Sequence, residues 1–328
     1  MIRILKNYSS KNEDNIRQII AYKDNKLVLE AYKGGFNRED TLNVMSVTKS
    51  ITALLVGIAL DKGFINSVDD KIMDYYKDVY TPKRGEKTIY EVTIRHLLTM
   101  TAPWKGKSEP WVKVCTSDDW TLKMLDFLGG KSGVPSEFRY YTLGVQLLYG
   151  IIKMKSSMNV LDFANKYLLE PLGIEPRVSA DCHNKDDQMK YVMNRNNHGK
   201  VWFLDPKDTP TAGWGISLSA YEMAQIGLMV LNNGVYKNKR IVSSEWISEM
   251  TKIQEAQDPT KGEYSYGYLW WQPHRTLDIV SAIGDGGNVI YIDKNKKIVV
   301  TITGYFKPRI FDRIEFIEKN IVEAIENN

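Results

Sequence analysis

"NVMSVTKSITALLVGIALDKG", residues 43–63, decides how the chain is read. Its small and apolar residues run almost without a break from Ile51 to Leu60, and Gly63 supplies a left-handed stop. A helix is therefore predicted from Ser46 to Lys62, apolar around most of its circumference and so buried on most sides. Ser46 and Lys49 fall three residues apart, on one face of that helix. Two readings stand open. Serine is a favoured N-cap and lysine a good helix former, so the pair could be an ordinary helix start. Alternatively, a lysine held neutral by burial takes the serine proton, at a helix end whose dipole favours negative charge. The pair is the only S-x-x-K among the chain's 19 serines. A lysine one turn inside a buried helix seldom stands without a partner or a role.

Working outward, "RQIIAYKD" and "KLVLEAYKGG" read as two strands turning at Asp24-Asn25. From Asp69 to about Asp205 the signals are mostly helical, broken by loops such as "TAPWKGKSEPW" and "GGKSGVPSEF". Helical character continues through "SLSAYEMAQIGLMVLNNG" and "SSEWISEMTKI". Beyond Tyr264, "YSYGYLWWQP", "LDIVSAIGDGGNVIYID" and "KKIVVTITGYF" read as strands, and Pro308 to Ile325 as a closing helix. Strands at both ends and helices between them predict an α+β (α/β) fold. In it, an antiparallel sheet from both chain ends (1–65 and 206–328) is flanked by helices. A mostly helical inserted domain (66–205) follows, with a ligand cleft at the seam.

Two further segments carry chemistry. In "PSEFRYYTLGVQLLYGII", Pro135 to Ile152, Tyr140 and Tyr141 sit where a loop enters a buried helix near Leu143. A phenol beside a lysine can relay a proton between nucleophile and leaving group, and either tyrosine could equally be a core or rim aromatic. In "SAIGDGGNVIYID", Gly284, Gly286 and Gly287 cluster before a strand. They suit a hairpin turn, or backbone that approaches a ligand and offers an N–H to an oxyanion.

The bulk properties narrow the classes. The 328 residues carry 44 basic against 40 acidic side chains, a net charge of +4 with no basic stripe, so no nucleic-acid partner is expected. Cys115 and Cys182 lie far apart, and His96, His183, His198 and His274 show no ligand spacing. Neither a disulfide framework nor a metal site is expected, and His96 reads as structural. The N-terminus reaches polar residues too soon for a signal peptide, and the longest apolar run is half of the ~20 residues a membrane span needs. A soluble, cytoplasmic chain is the expectation.

Taken together, these segments resemble the serine β-lactamase and penicillin-binding protein superfamily, in its class C and esterase branch. "TIRHLLTMTAPW" looks like that branch's T-I-R-x-L-L-T-x-T-S-G segment, and "PSEFRYYTLGVQLLYG" is similar to P-G-x-x-F-x-Y-S-N-x-G-x-x-L-L-G. "TAGWGISLSAYEMAQIGLMVLNNG" is similar to A-G-G-x-x-S-T-x-x-D-L-A-x-x-G-x-x-x-L-x-G-G. The likeness runs from about Ile20 to Thr303 with every segment in order, and within the branch it is nearest to the 6-aminohexanoate-dimer hydrolase and esterase group. It implies a β-lactamase/transpeptidase-like fold with Ser46 as acylated nucleophile, Lys49 as its proton acceptor and Tyr140 as the assisting tyrosine. The N–H groups of Ser46 and Asp285 would form the oxyanion hole, and no cofactor or metal is implied.

The departures from the pattern bear on substrate. Thr142 stands where the second element has Asn, and Ala282-Ile283-Gly284 stands where lactamases have K-T-G. The missing cation removes a partner for a substrate carboxylate. "TAP" also stands where the branch has T-S-G. The resemblance therefore implies hydrolysis of a small ester or amide through an acyl-enzyme. Tyr141, Thr142, Trp104, Trp214, Trp270, Trp271, Gly284 and Gly286 are candidates for lining the cleft. The alternatives are a penicillin-binding protein with weak β-lactamase or D-peptidase activity, and a non-catalytic sensor on the same fold. The acyl group and the oligomeric state are not legible.

Overall fold

The computed structural model describes residues 13–130, 133, 137–180, 185–254 and 264–327. The readings at the N-terminus, Pro135, Cys182 and His183 lie outside the described residues. No helix among the described residues is long and apolar enough to cross a membrane.

The two ends of the chain meet in one antiparallel sheet. Its strands are β1 (Ile16–Lys23), β2 (Lys26–Tyr32), β3 (Ser265–Tyr266), β4 (Trp271–Gln272), β5 (Ile279–Gly284), β6 (Asn288–Asp293) and β7 (Ile298–Gly304). The order β2-β1-β7-β6-β5-β4-β3 sets the N-terminal strand directly against the C-terminal one, with Ile20 opposite Thr301. Asp24 and Asn25 both take positive φ (49° and 62°), the geometry of a tight hairpin turn whose twist matches the strands it joins. β5, β6 and β7 are buried along their whole length, because helices cover the sheet.

Three helices matter for the site: α1 (Val47–Asp61), α2 (Gln146–Ser156) and α3 (Ala220–Leu231). α3 packs across β1, β6 and β7, while α1 lies between β5 and α2. α3 starts where the sequence supplies a capping box. Ser219 Oγ accepts the Glu222 N–H, and the Glu222 carboxylate accepts the Ser219 N–H. α1 is buried from Val47 to Ala59, as its apolar run requires, and ends on Lys62 with Gly63 at φ 72°.

One boundary differs from expectation. The closing helix starts at Ile314 rather than Pro308. Arg309 takes a left-handed φ of 69°, which a right-handed helix begun at Pro308 cannot contain. The Arg313 guanidinium is then drawn inward to Asn15 Oδ1 at 2.5 Å. Residues 308–313 are non-helical, tied to the β5–β6 turn by the Gly286 N–H on Ile310 O and to Asn15 by Arg313.

Candidate active site

Ser46 stands at the N-terminal end of α1, half-exposed, while Lys49 one turn later is buried. The approach to Ser46 is strained. Met45 holds φ 51°, an unfavourable conformation for a long side chain, and Asn43 Oδ1 fixes it by accepting the Met45 N–H at 2.9 Å. Asn43 is held in turn by its N–H donated to His198 Nδ1 at 3.0 Å, which gives His198 a structural role. This bend turns Ser46 Oγ toward Lys49 Nζ, 2.8 Å away. Lys49 Nζ also donates to Gly213 O at 2.9 Å. Burial pushes the Lys49 pKa down to about 7, against smaller upward pulls from the negative charges of Glu109 and Asp285.

The backbone beside Ser46 comes from the end of β5. β4 pairs with β5 only through Trp271 and Ser281, so the strand beyond Ser281 is left to meet α1. Gly284 makes that contact possible. A Cβ there would stand 2.2 Å from Val44 O and 3.0 Å from Ser46 N. Asp285 follows immediately, its side chain exposed at the rim. Among the described residues, neither the Ser46 N–H nor the Asp285 N–H has a protein acceptor. Gly286 acts elsewhere. It takes φ 84°, donates its N–H to Ile310 O at 2.8 Å, and packs against Tyr305 and Phe306. It shapes the turn rather than the cleft.

Tyr140 closes the other side. Its ring centre lies 4.8 Å from Lys49 Nζ, and it stacks on Trp271 at 5.7 Å. Thr142 lies against Gly213, where any Cβ would come within 2.7 Å of Thr142 O and Cγ2. The structure thus brings Ser46, Lys49, Tyr140, Thr142, Gly284 and Asp285 around one point.

The remaining candidates divide. Trp104 stacks on Tyr141 at 4.4 Å, and Tyr141 is almost wholly enclosed, its hydroxyl buried without a hydrogen-bond partner among the described residues. Trp214 follows Gly213 and packs between Trp111 and Trp120. Trp270 has no exposed surface at all: it is core, while its neighbour Trp271 faces Tyr140. His96 accepts the Thr93 N–H through Nδ1 and caps a helix.

Sequence patterns do not single out Glu109. Its carboxylate accepts the Thr142 N–H at 2.9 Å and the Leu143 N–H at 2.7 Å. It lies in a loop without periodicity, 33 and 34 residues from its partners, so no local signal marks it.

With this geometry in place, the class follows. The Beta-lactamase family model matches residues 17–309, and the chain belongs to that family. It is 22% identical over 307 residues to a 6-aminohexanoate-dimer hydrolase of Paenarthrobacter ureafaciens, covering 88% of this chain and 72% of that one. Among solved structures, it is similar to an octameric penicillin-binding protein homologue from Pyrococcus abyssi, at TM-score 0.64 and 22% identity. That match covers 93% of this chain and 72% of the other. It is also similar to a D-stereospecific amidohydrolase from a Streptomyces species, at TM-score 0.67 and 13% identity, with 93% of both chains covered. These likenesses establish a β-lactamase/transpeptidase-like fold, mixed helix and antiparallel sheet.

Proposed function

We propose that the chain is a serine hydrolase that cleaves a small ester or amide through an acyl-enzyme on Ser46. The observation that carries this is the 2.8 Å approach of a fully buried Lys49 amine to a reachable serine hydroxyl. With its pKa near 7, a substantial fraction of Lys49 is neutral at neutral pH and can accept a proton.

As Ser46 Oγ attacks the substrate carbonyl carbon, its proton passes to Lys49 Nζ. The Ser46 and Asp285 N–H groups hold the oxyanion that forms. When the tetrahedral centre collapses, the C–O or C–N bond breaks, and the leaving alcohol or amine takes the proton through Tyr140. Water then attacks the acyl carbon and loses a proton to the same base; as the Ser46 Oγ–C bond breaks, that proton returns to Oγ, releasing the acid, free Ser46 and neutral Lys49. No step calls for a metal or an organic cofactor.

The surroundings favour a substrate without a carboxylate near the acyl carbon. Ala282 offers no cation, and the two charges acting on Lys49, Glu109 and Asp285, are both negative. This sets β-lactams, which carry a carboxylate, behind neutral esters and amides. The relatives named as 6-aminohexanoate-dimer hydrolase and D-stereospecific amidohydrolase agree with a small amide as substrate class.

The test is hydrolysis of p-nitrophenyl butyrate by the wild type and by Ser46→Ala. Loss of turnover in the variant, with the fold retained by circular dichroism, supports the reading. Equal rates would remove it, and equal rates no faster than the uncatalysed reaction would leave a binding or sensor protein on the same fold.

A further inference from the structure

We propose that Glu109 is a positioning residue of this site: its carboxylate clamps the segment that carries Tyr140 and, through Thr142 and Gly213, fixes where Lys49 sits. The inference rests on the serine-hydrolase reading and deepens it.

Three links make the clamp. First, Glu109 Oε1 and Oε2 each take one backbone N–H, from Thr142 at 2.9 Å and Leu143 at 2.7 Å. Hydrogen bonds to an ionised carboxylate are stronger and more directional than neutral ones, and two on adjacent residues fix orientation as well as distance. They hold the first turn of the helical run that starts at Leu143, three residues after Tyr140 is presented to Lys49. Second, Thr142 is pressed so closely on Gly213 that no Cβ fits between them. Third, the Gly213 carbonyl takes a hydrogen bond from Lys49 Nζ at 2.9 Å. A displacement of Thr142 is therefore passed to the lysine through two close contacts.

The charge of Glu109 reaches the same amine. The groups facing Lys49 are Ser46 on its own helix, the Gly213 carbonyl, the Tyr140 ring, and the carboxylates of Glu109 and Asp285. Burial lowers the Lys49 pKa, and Glu109 supplies the larger of the two opposing pulls. Glu109 thus keeps the buried lysine from losing its proton too readily, so that it can still return one to the leaving group. A carboxylate that merely capped a helix would contribute to stability and leave Lys49 untouched.

The experiment compares the pH profile of kcat/KM for p-nitrophenyl butyrate in wild type, Glu109→Gln, Ser46→Ala and Ser243→Ala. Ser243 caps the helix Ser244–Thr251 and serves as a cap unrelated to the site. Glu109→Gln is expected to lower kcat roughly tenfold and to move the midpoint of the acid limb to lower pH, since an anion near the base is gone. Ser243→Ala is expected to lower Tm and leave the limb in place. An acid limb unmoved in Glu109→Gln overturns the proposal, whatever the rate. If Glu109→Gln does not fold, Glu109→Asp keeps the charge and shortens the reach. A lowered kcat with the limb in place then supports the clamp, and a wild-type kcat overturns it. Ser46→Ala separates the two layers: full activity in it removes the hydrolase reading, whereas Ser46-dependent activity with an unmoved limb removes only the role of Glu109.

Discussion

Ser46 and Lys49 stand one helical turn apart with Oγ and Nζ 2.8 Å from each other, the serine half-exposed and the lysine fully enclosed. That asymmetry suits the proposed roles. The group proposed to meet substrate is reachable, and the group proposed to lose its charge is kept from water.

The pH dependence of acylation follows from the enclosed amine. Lys49 acts as a base only when neutral, and burial brings its pKa down to about 7. kcat/KM is expected to rise tenfold per pH unit below that value and to level off above it. Stopped-flow or steady-state ester hydrolysis measures this directly. A rate that is flat across the neutral range, or that falls as pH rises through it, contradicts the assignment.

Removing the lysine separates catalysis from stability. Lys49→Met should lower acylation by about 10²–10⁴-fold, the usual contribution of a positioned base. Its effect on stability has the opposite tendency. The unfolded chain holds the Lys49 proton up to the ordinary value of 10.5, whereas the folded protein releases it near 7. Between those values the unfolded state binds more protons, so this lysine costs stability at neutral pH, and the cost fades as pH rises toward 10.5. The Tm of Lys49→Met relative to wild type should therefore be more favourable at pH 7 than near pH 10. Calorimetry at the two pH values checks the sign, and the reverse order would mean that Lys49 is charged in the fold.

Gly284 is expected to tolerate no side chain. In Gly284→Ala the new Cβ would stand 2.2 Å from Val44 O, so either β5 or the entry to α1 must shift. Overpacking of this kind costs about 1–3 kcal/mol. Because the displaced atoms include Ser46 N, turnover should fall by roughly 10²–10³-fold, as when an oxyanion donor is lost. Chemical denaturation beside ester kinetics measures both. Near-wild-type kcat in a folded variant would detach β5 from the chemistry.

Charge on the substrate should matter as well. A p-nitrophenyl ester whose acyl chain ends in carboxylate is expected to react at least roughly tenfold more slowly than its neutral counterpart, through repulsion from Asp285 and Glu109. Added salt should narrow the gap, because Asp285 lies exposed at the rim. Equal kcat/KM for the two esters, measured at low salt, would show that these carboxylates do not face the acyl chain.

How much of the molecule is legible in its sequence depends on how local each signal is. The helix after Ser46 and the turn at Asp24-Asn25 are readable because periodicity and turn chemistry lie within a few residues. Tryptophans are harder. Trp270 and Trp271 are adjacent and both buried, and nothing local says which of them meets the site. Only the position of Tyr140, 131 residues earlier, makes Trp271 the one that faces the site. Glu109 is invisible for the same reason, since its meaning lies in two N–H groups supplied by a distant segment. The closing helix begins six residues later than its sequence suggests: Arg309 turns left-handed, and Arg313 bonds Asn15 at the other end of the chain, which no local pattern shows.

If Ser46 is the nucleophile it becomes acylated, and the adduct can be trapped. The protein is mixed with an excess of p-nitrophenyl butyrate, quenched in acid and analysed by intact-mass and peptide-mapping mass spectrometry. One butyryl group per chain is expected, on Ser46, and none on Ser46→Ala. An adduct on any other residue, or turnover through an enzyme on which no adduct forms at Ser46 even under acid quench, would contradict that role for Ser46.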